Sequence, residues 1–390
     1  HIEIVKLLLN DERVDLNKLM SNWPGCPGLT SFYIACHKGH IEIVKLLLND
    51  NRVDINKELV DGLTPFYGTC QKGHIEIVKI LLNDERIDIN KANKNEATPF
   101  YIACHNRHIE IVKLLLNDKR VDVNKVLNSG ATPFYIACLD GHIEIVKLLL
   151  TDQRVDINQT RSGWTPFYVA CRQGLSGVVK LLSNDERVDI NKANDSWTPF
   201  YIACRKGNHE IVKLLLNDER VDINKADNKG WTPFMIACSR GHIEIVKLFL
   251  NDERIDVNKS QREGAAPFYI ACKKGHIEIV KLLLASERKI NLNQKRNNNK
   301  TALDISKQRS TSTEKFDWET EEAFQYAKKN CPLIVELIES FQKSPKEIQS
   351  QLRKEVKYCI FLFFFFFFFF FFSSFFSFHE LTKMIKLLND

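Results

Sequence analysis

One motif, Thr-Pro-Phe-Tyr-x-Ala-Cys, recurs along most of this chain of 390 residues at a spacing of 33 or 34 residues. Each copy is followed by Gly-His-Ile-Glu-Ile-Val-Lys-Leu-Leu-Leu-Asn-Asp-Glu-Arg-Val-Asp-Ile-Asn or a close variant, which gives eight whole units. The first copy has Ser31 where the others have their proline, at Pro65, Pro99, Pro133, Pro166, Pro199, Pro233 and Pro267. Self-similarity at this period predicts a solenoid, in which each unit contacts only its neighbours.

Residues 61–90 show what one unit would build. Thr64 is placed to cap a helix that starts at Pro65, and Gly73 can take the left-handed conformation that ends it. A second amphipathic helix follows, with an apolar face predicted at Ile75, Val78 and Leu82, flanked by Ile77 and Leu81. The stretch 86–90 alternates apolar and polar residues, which predicts an extended finger. Both helices are shorter than the ~12–15 residues at which an isolated helix is marginal, so each unit must bury its apolar face on its neighbours.

The repeated motif resembles the Thr-Pro-Leu-His-x-Ala signature of the ankyrin repeat family, with Phe-Tyr in place of Leu-His. The resemblance covers roughly residues 1–342. It implies an all-α solenoid of stacked ankyrin-type helix-turn-helix repeats with extended finger loops. There are two departures from the family pattern. Asn-Asp-Glu-Arg replaces the family's Gly-Ala and adds one residue, so we expect a reshaped corner after the second helix. Arg107 replaces the helix-ending glycine, at a cost of about 1–2 kcal/mol if it is left-handed.

The sequence divides into six segments on this interpretation. They are a partial repeat with an irregular insertion (1–29), eight ankyrin repeats (30–299), a degenerate C-terminal capping repeat with an insertion (300–342), a basic linker (343–359), a poly-Phe segment (360–378) and a tail resembling a truncated repeat (379–390). Within the capping repeat, we expect the second helix at 332–338. Because the pattern is already under way at His1, we expect the chain to be a fragment of a longer protein.

The poly-Phe segment 360–378 has two open interpretations. As a helix, its nineteen residues would nearly cross a hydrocarbon layer of about 30 Å, and Arg353, Lys354 and Lys357 before it would keep the repeats in the cytoplasm. Membrane contact would then occur through this segment. As a translated low-complexity tract it would have no such role. The tail 384–390 favours this second interpretation, because it resembles the second helix of the repeat.

Cysteines and histidines recur with the repeat and invite a metal hypothesis. There are 11 cysteines, an odd number, and no secretory leader, which predicts a reducing, cytoplasmic environment. One Cys and one His per unit cannot complete a tetrahedral site, and stacked helices lie about 8–10 Å apart. We therefore expect no metal or cofactor, and we interpret eight periodic cysteines as packing groups: Cys36, Cys70, Cys104, Cys138, Cys171, Cys204, Cys238 and Cys272.

The tyrosine of the motif takes the place of the family's histidine, which links neighbouring units by hydrogen bonds. The resemblance implies that the tyrosine hydroxyls do the same. A stacked aromatic ladder used for binding is the alternative, and Met235 interrupts it. The tyrosines concerned are Tyr33, Tyr67, Tyr101, Tyr135, Tyr168, Tyr201 and Tyr269.

Catalytic motifs are missing from the sequence. It has no Gly-rich phosphate loop, His-Glu-x-x-His, Cys-x-x-Cys or Gly-x-Ser-x-Gly elbow, so we expect a chain that is not an enzyme. The net charge of +6 is modest, and Lys and Glu are interleaved along each unit. We therefore expect no nucleic-acid partner.

Variation among the repeats indicates a candidate binding surface. Positions that vary cluster at the finger tips and in the pair before the helix-ending glycine, and the resemblance places both sets on a concave, partner-binding face. The repeats are therefore predicted to be a scaffold for an acidic protein partner. Neutral drift of exposed positions is the alternative explanation. The candidate binding residues are Lys38, Asp61, Lys72, Arg161, Arg172, Arg205, Lys206, Asp227, Arg240, Arg262, Lys273 and Lys274.

A second function class stays open at this point. The repeats could be the targeting or adaptor arm of a larger enzyme or membrane protein, of which this chain would be a fragment. A structural tether to a membrane, through 360–378, is a third reading. A working domain elsewhere in the full-length protein would separate these readings from a free-standing scaffold.

Overall fold

The computed structural model describes residues 2–20, 28–316 and 319–355. These residues form helices joined by turns and loops, with isolated two-residue bridges in place of strands. The poly-Phe segment 360–378 and the tail 379–390 lie outside the described residues. Within the described ranges, no helix combines the length and the apolar character that a membrane span requires. The chain divides into two compact units, His1–Asp222 and Ile223–Asp390.

The first unit starts with a single helix, α1 (Ile2–Leu9), and continues as helix pairs. Successive first helices pack against one another, and so do successive second helices. The pairs are α2 (Ser31–Lys38) with α3 (Ile41–Leu48), α4 (Pro65–Lys72) with α5 (Ile75–Leu82), α6 (Pro99–His105) with α7 (Ile109–Asn117), α8 (Pro133–Asp140) with α9 (Ile143–Thr151), α10 (Pro166–Gln173) with α11 (Ser176–Ser183), and α12 (Pro199–Lys206) with α13 (His209–Leu216).

The second unit contains two further helix pairs and then two helices at the position of the predicted capping repeat, which we call the cap. The helices of this unit are α14 (Pro233–Arg240), α15 (Ile243–Leu250), α16 (Pro267–Lys274), α17 (Ile277–Ala285), α18 (Ala302–Thr311) and α19 (Glu321–Lys343). Both α18 and α19 pack on α16, and α19 also packs on α17. Residues 345–355, within the predicted basic linker, are helical as well. From this helix Gln349 and Arg353 donate hydrogen bonds to backbone carbonyls at the end of α17.

Local signals define the first helix of each pair, as the sequence predicts. Thr64 Oγ1 accepts a hydrogen bond from the backbone N–H of Tyr67 at 3.2 Å, Pro65 occupies the first turn, and Gly73 ends the helix with φ 81°. In the second helix the predicted apolar face is wrong by about one position. The residues with no exposed surface are Ile77, Val78 and Leu81, whereas Ile75 and Leu82 stay partly exposed.

The extra residue after the second helix builds a link between neighbouring repeats. The carboxylate of Asp118 accepts hydrogen bonds from the backbone N–H and the guanidinium of Arg120, and this pairing lowers the pKa of Asp118. Arg120 Nη2 also donates to the carbonyl of Leu82, 2.9 Å away at the end of the preceding α5. Carbonyls at a helix C-terminus have no partner within the helix, so a cation there stabilises the end. The same link is made by Arg52, Arg86, Arg154 and Arg187, and we call these four residues and Arg120 the corner arginines.

An asparagine in each finger makes a second link between repeats. Asn124 Nδ2 donates to the carbonyl of Arg154 at 2.6 Å, and Asn124 Oδ1 accepts from the N–H of Asp156 at 2.8 Å. The side-chain amide therefore both donates and accepts a hydrogen bond, as the backbone of a residue in a β ladder does. Asn17, Asn56, Asn90 and Asn158 repeat this pair of bonds in the first unit.

The cap differs from the prediction in the position of its second helix. Thr301 and Asp304 form a capping box at the start of α18, so this helix begins at the degenerate Thr-Pro position. The second helix, expected at 332–338, begins instead at Glu321, with Thr320 as its cap and Pro332 inside it. The polar insertion therefore contributes the first half of α19. Its acidic first turn suits the positive end of the helix dipole.

Replacing Arg107 by glycine should raise the free energy of unfolding by about 0.5–1 kcal/mol, because the relief of the left-handed strain is partly offset by the larger backbone entropy that glycine loses on folding. Arg107 has φ 62°, in the left-handed region that a side chain with a Cβ enters at a cost. The matched control is Arg107→Ala, which keeps the Cβ and should give no gain. Guanidinium denaturation of both variants measures the difference. Equal stability of the Gly and Ala variants would show that the backbone at this position is not strained.

Candidate functional site

The predicted binding residues occupy two kinds of position within the repeats. Most of the basic ones stand at the last or next-to-last position of a first helix, where a cation suits the negative end of the helix dipole. The others stand on the finger tips. We call the surface that these positions form within each of the two compact units its finger face. The exposed members are Lys38, Asp61, Lys72 and Lys206 in the first unit, and Arg240 and Arg262 in the second.

Neighbouring finger tips are joined through their backbones. The carbonyl of Asp61 accepts a hydrogen bond from the N–H of Lys94 at 3.1 Å, and the N–H of Arg262 donates to the carbonyl of Lys229 at 3.2 Å. The side chains of Asp61 and Arg262 stay exposed to solvent. The fingers therefore present these side chains from a hydrogen-bonded edge.

Asp227 differs from the expectation of an open binding residue. Its carboxylate accepts hydrogen bonds from the backbone N–H groups of Lys229 at 2.8 Å and Trp231 at 2.9 Å. This is the arrangement in which an aspartate stabilises its own turn. Asp227 therefore shapes the finger.

Arg172 and Arg205 lie over the rings of tryptophans, a feature that the sequence analysis missed. The guanidinium carbon of Arg172 lies 4.3 Å from the ring centroid of Trp164, and that of Arg205 lies 4.1 Å from the centroid of Trp197. These are cation–π distances. The sequence does carry a signal, because in both repeats the tryptophan directly precedes Thr-Pro and the arginine follows it by eight positions.

Lys273 and Lys274 were expected to be open to solvent as binding residues, and they are not. Both are partly buried, and Lys273 Nζ lies 4.5 Å from the ring centroid of Phe316, between α18 and α19. Burial lowers the pKa of Lys273, and it lowers the pKa of Lys274 to about 8. The C-terminal cap therefore covers the end of α16, and these two lysines are a poor choice for testing partner capture.

Histidines, rather than tyrosines, make most of the described side-chain hydrogen bonds that join the first helix of one repeat to the next repeat. His74 Nε2 lies 3.0 Å from the carbonyl of His37, and the same contact occurs at His108, His142 and His276. Among the tyrosine hydroxyls, that of Tyr67 accepts from Asn93 at 3.4 Å, whereas that of Tyr269 is buried without a partner. The expected role of the tyrosine hydroxyls is therefore wrong for Tyr269.

The eight periodic cysteines are free and fully buried. Burial raises the pKa of each thiol, to about 12 at Cys36. A thiol held in its neutral form is a poor nucleophile and a poor metal ligand. These cysteines therefore pack the core. In the part of the chain that the structure describes, no three His, Cys, Asp or Glu side chains come together as a metal site would require.

Comparison with protein families agrees with the repeat geometry. A family described as "Ankyrin repeats (3 copies)" matches residues 1–58, 32–126, 119–194 and 177–261. A second, described as "Ankyrin repeats (many copies)", matches residues 250–306. A search of curated proteins gave no match. The two family matches together span residues 1–306 of the 390, so the chain belongs to the ankyrin repeat family.

Proposed function

We propose that this chain is a non-catalytic scaffold that binds an acidic protein partner on its finger face. Ankyrin repeats generally mediate protein–protein interaction. A reducing compartment such as the cytoplasm suits nine described cysteines that are all unpaired.

The observation that carries the proposal is a difference in charge pairing. Outside the finger face, most lysines of the second helices have partners within the chain: Lys45, Lys79 and Lys113 each contact a glutamate three positions earlier, and the corner arginines contact aspartates. Lys180 and Lys213 are exceptions, with no carboxylate oxygen within 4.0 Å in the described ranges. On the finger face, in contrast, seven cations have no carboxylate oxygen within 4.0 Å in the ranges that the structure describes: Lys38, Lys72, Arg161, Arg172, Lys206, Arg240 and Arg262.

Cations that have no carboxylate partner within the chain favour an acidic partner for a physical reason. A pair already formed within the chain must be broken before its cation can contact a partner, whereas an unpaired cation contributes directly to electrostatic attraction. Such attraction accelerates encounter and weakens as salt is added. We therefore expect partner binding that is faster at low ionic strength.

Site-specific photo-crosslinking tests the proposed face. A benzophenone amino acid is placed at Lys38, Lys72 or Lys206 on the finger face, and at Lys45, Lys79 or Lys113 on the second helices as matched controls. We expect the finger-face positions to crosslink one common partner in cells, and the second-helix positions to give little of it. Equal yields from both sets would contradict the proposal.

A further inference from the structure

A cavity of about 340 Å³ lies between two neighbouring repeats of the first unit. The helix α8 contributes Tyr135 to its wall, α10 contributes Val169 and Arg172, and the finger between them contributes Arg161 and Trp164. The volume is near the lower end of ligand sites in proteins. It suits one side chain of a bound segment.

Two arginines line this cavity, and the guanidinium group of each lies next to an aromatic ring. Arg172 lies over Trp164 at 4.3 Å, and the guanidinium carbon of Arg161 lies 5.9 Å from the ring centroid of Tyr135. Burial raises the pKa of Tyr135, and the charges of Arg161 and Arg172 both oppose that rise. Both arginines and Tyr135 line the same cavity.

Neither cation has an anionic partner within the described part of the chain. The corner arginines of the same two repeats behave differently: Arg154 and Arg187 pair with Asp152 and Asp185, each at 2.6 Å. The two repeats thus supply a carboxylate where an arginine links neighbouring units and supply none in the cavity. Partly buried guanidinium groups without a counter-ion are suited to an anion from outside.

The finger that carries Arg161 is held in a defined shape. Arg161 and Trp164 exchange two backbone hydrogen bonds of 3.0 Å, and the two residues between them, Ser162 and Gly163, have φ values of 51° and 81°. Positive φ at both central residues is the pattern of a type I′ hairpin turn, which matches the twist of its flanking strands. Groups held in place before binding lose less conformational entropy when a ligand arrives.

We propose that this cavity binds the carboxylate of an aspartate or glutamate side chain from an extended acidic segment of the partner. Arg161 and Arg172 donate charge-assisted hydrogen bonds to the carboxylate, and Trp164 packs against its methylene groups. The planar fork of a guanidinium matches the two oxygens of a carboxylate. This inference rests on the proposed function and names the chemistry that the partner must present.

Fluorescence anisotropy with a defined probe tests the cavity in the full chain. The probe is a fluorescein-labelled peptide of alternating Glu and Ser, compared with its Gln and Ser analogue. The double variant Arg161→Gln with Arg172→Gln should weaken binding of the Glu peptide about tenfold or more, since each hydrogen bond to a charged group contributes a measurable fraction of affinity. The Gln analogue should not bind.

The matched control removes the same charge elsewhere in the first unit. Lys180→Gln with Lys213→Gln changes two exposed lysines of second helices, and it should alter affinity by less than about twofold. Circular dichroism of both double variants checks that the fold is kept. The conservative variant Arg172→Lys should still bind the Glu peptide several-fold more weakly, because lysine keeps the charge but lacks the planar pair of N–H donors of the guanidinium group.

Three results would overturn the cavity assignment. They are no binding of the Glu peptide, equal weakening by both double variants, or a clear preference for a phosphoserine peptide over the Glu peptide. The photo-crosslinking result is independent of these. A partner that maps to the finger face while the cavity variants bind the Glu peptide normally would remove the cavity assignment and leave the proposed function standing.

Discussion

Replacing Phe134 by alanine should lower the free energy of unfolding of the first unit by about 3–5 kcal/mol. Phe134 is 1% exposed, and the phenylalanine at this position is equally buried in every repeat. Removing the ring leaves a cavity in a core that neighbouring repeats share. Because stability in a repeat array includes the interfaces between neighbours, the loss extends beyond α8 itself.

Guanidinium denaturation followed by circular dichroism measures this loss, and native-state hydrogen exchange locates it. Relative to the wild-type chain, exchange should accelerate more for amides of α8 and of the flanking α6 and α10 than for those near α1. The control is Val126→Ala, a truncation of a finger side chain that is 37% exposed, which should cost about 0.5 kcal/mol or less. If the two variants lost the same stability, the phenylalanine would not be a core residue.

The first helices could be predicted almost residue by residue because their signals are local. Thr64, Pro65 and Gly73 act on the backbone next to them, so no distant contact is needed to place the helix ends. The second helix carries six apolar residues among eight, which leaves a wide apolar arc. The sequence indicates that this arc is buried. Which edge of it is fully buried depends on the neighbouring repeat.

The candidate site shows the same division between local and distant causes. Variation among the repeats correctly indicated surface positions such as Lys38 and Lys72, because exposure follows from a position within the repeat. The burial of Lys273 depends on Phe316, which lies far along the chain in an irregular cap. No repeat-based reasoning could bring these two residues together. The contact of Arg172 with Trp164 lies between these cases, since a fixed spacing of eight residues accompanies it.

Replacing Gly275 by alanine should be the most disruptive change to the contact between the cap and the last full repeat. Gly275 ends α16 with φ 73°, and an added Cβ would lie 2.6 Å from the Cα of Ala327 in α19. Backbone cannot rotate away as a side chain can, so α19 must shift. Together with the strain of a left-handed alanine, we expect a loss of about 2–4 kcal/mol in the stability of the second unit.

The control for this prediction is Gly130→Ala, which separates backbone strain from collision. Gly130 has φ 80°, but an added Cβ would lie 3.8 Å from its nearest neighbour, the Cα of Arg161. Its alanine variant should therefore cost only the strain, about 1 kcal/mol. Hydrogen exchange of α19 amides should accelerate in Gly275→Ala and stay unchanged in Gly130→Ala. Since the two glycines share a conformation and differ in the space around them, equal losses would mean that α19 does not pack against the end of α16.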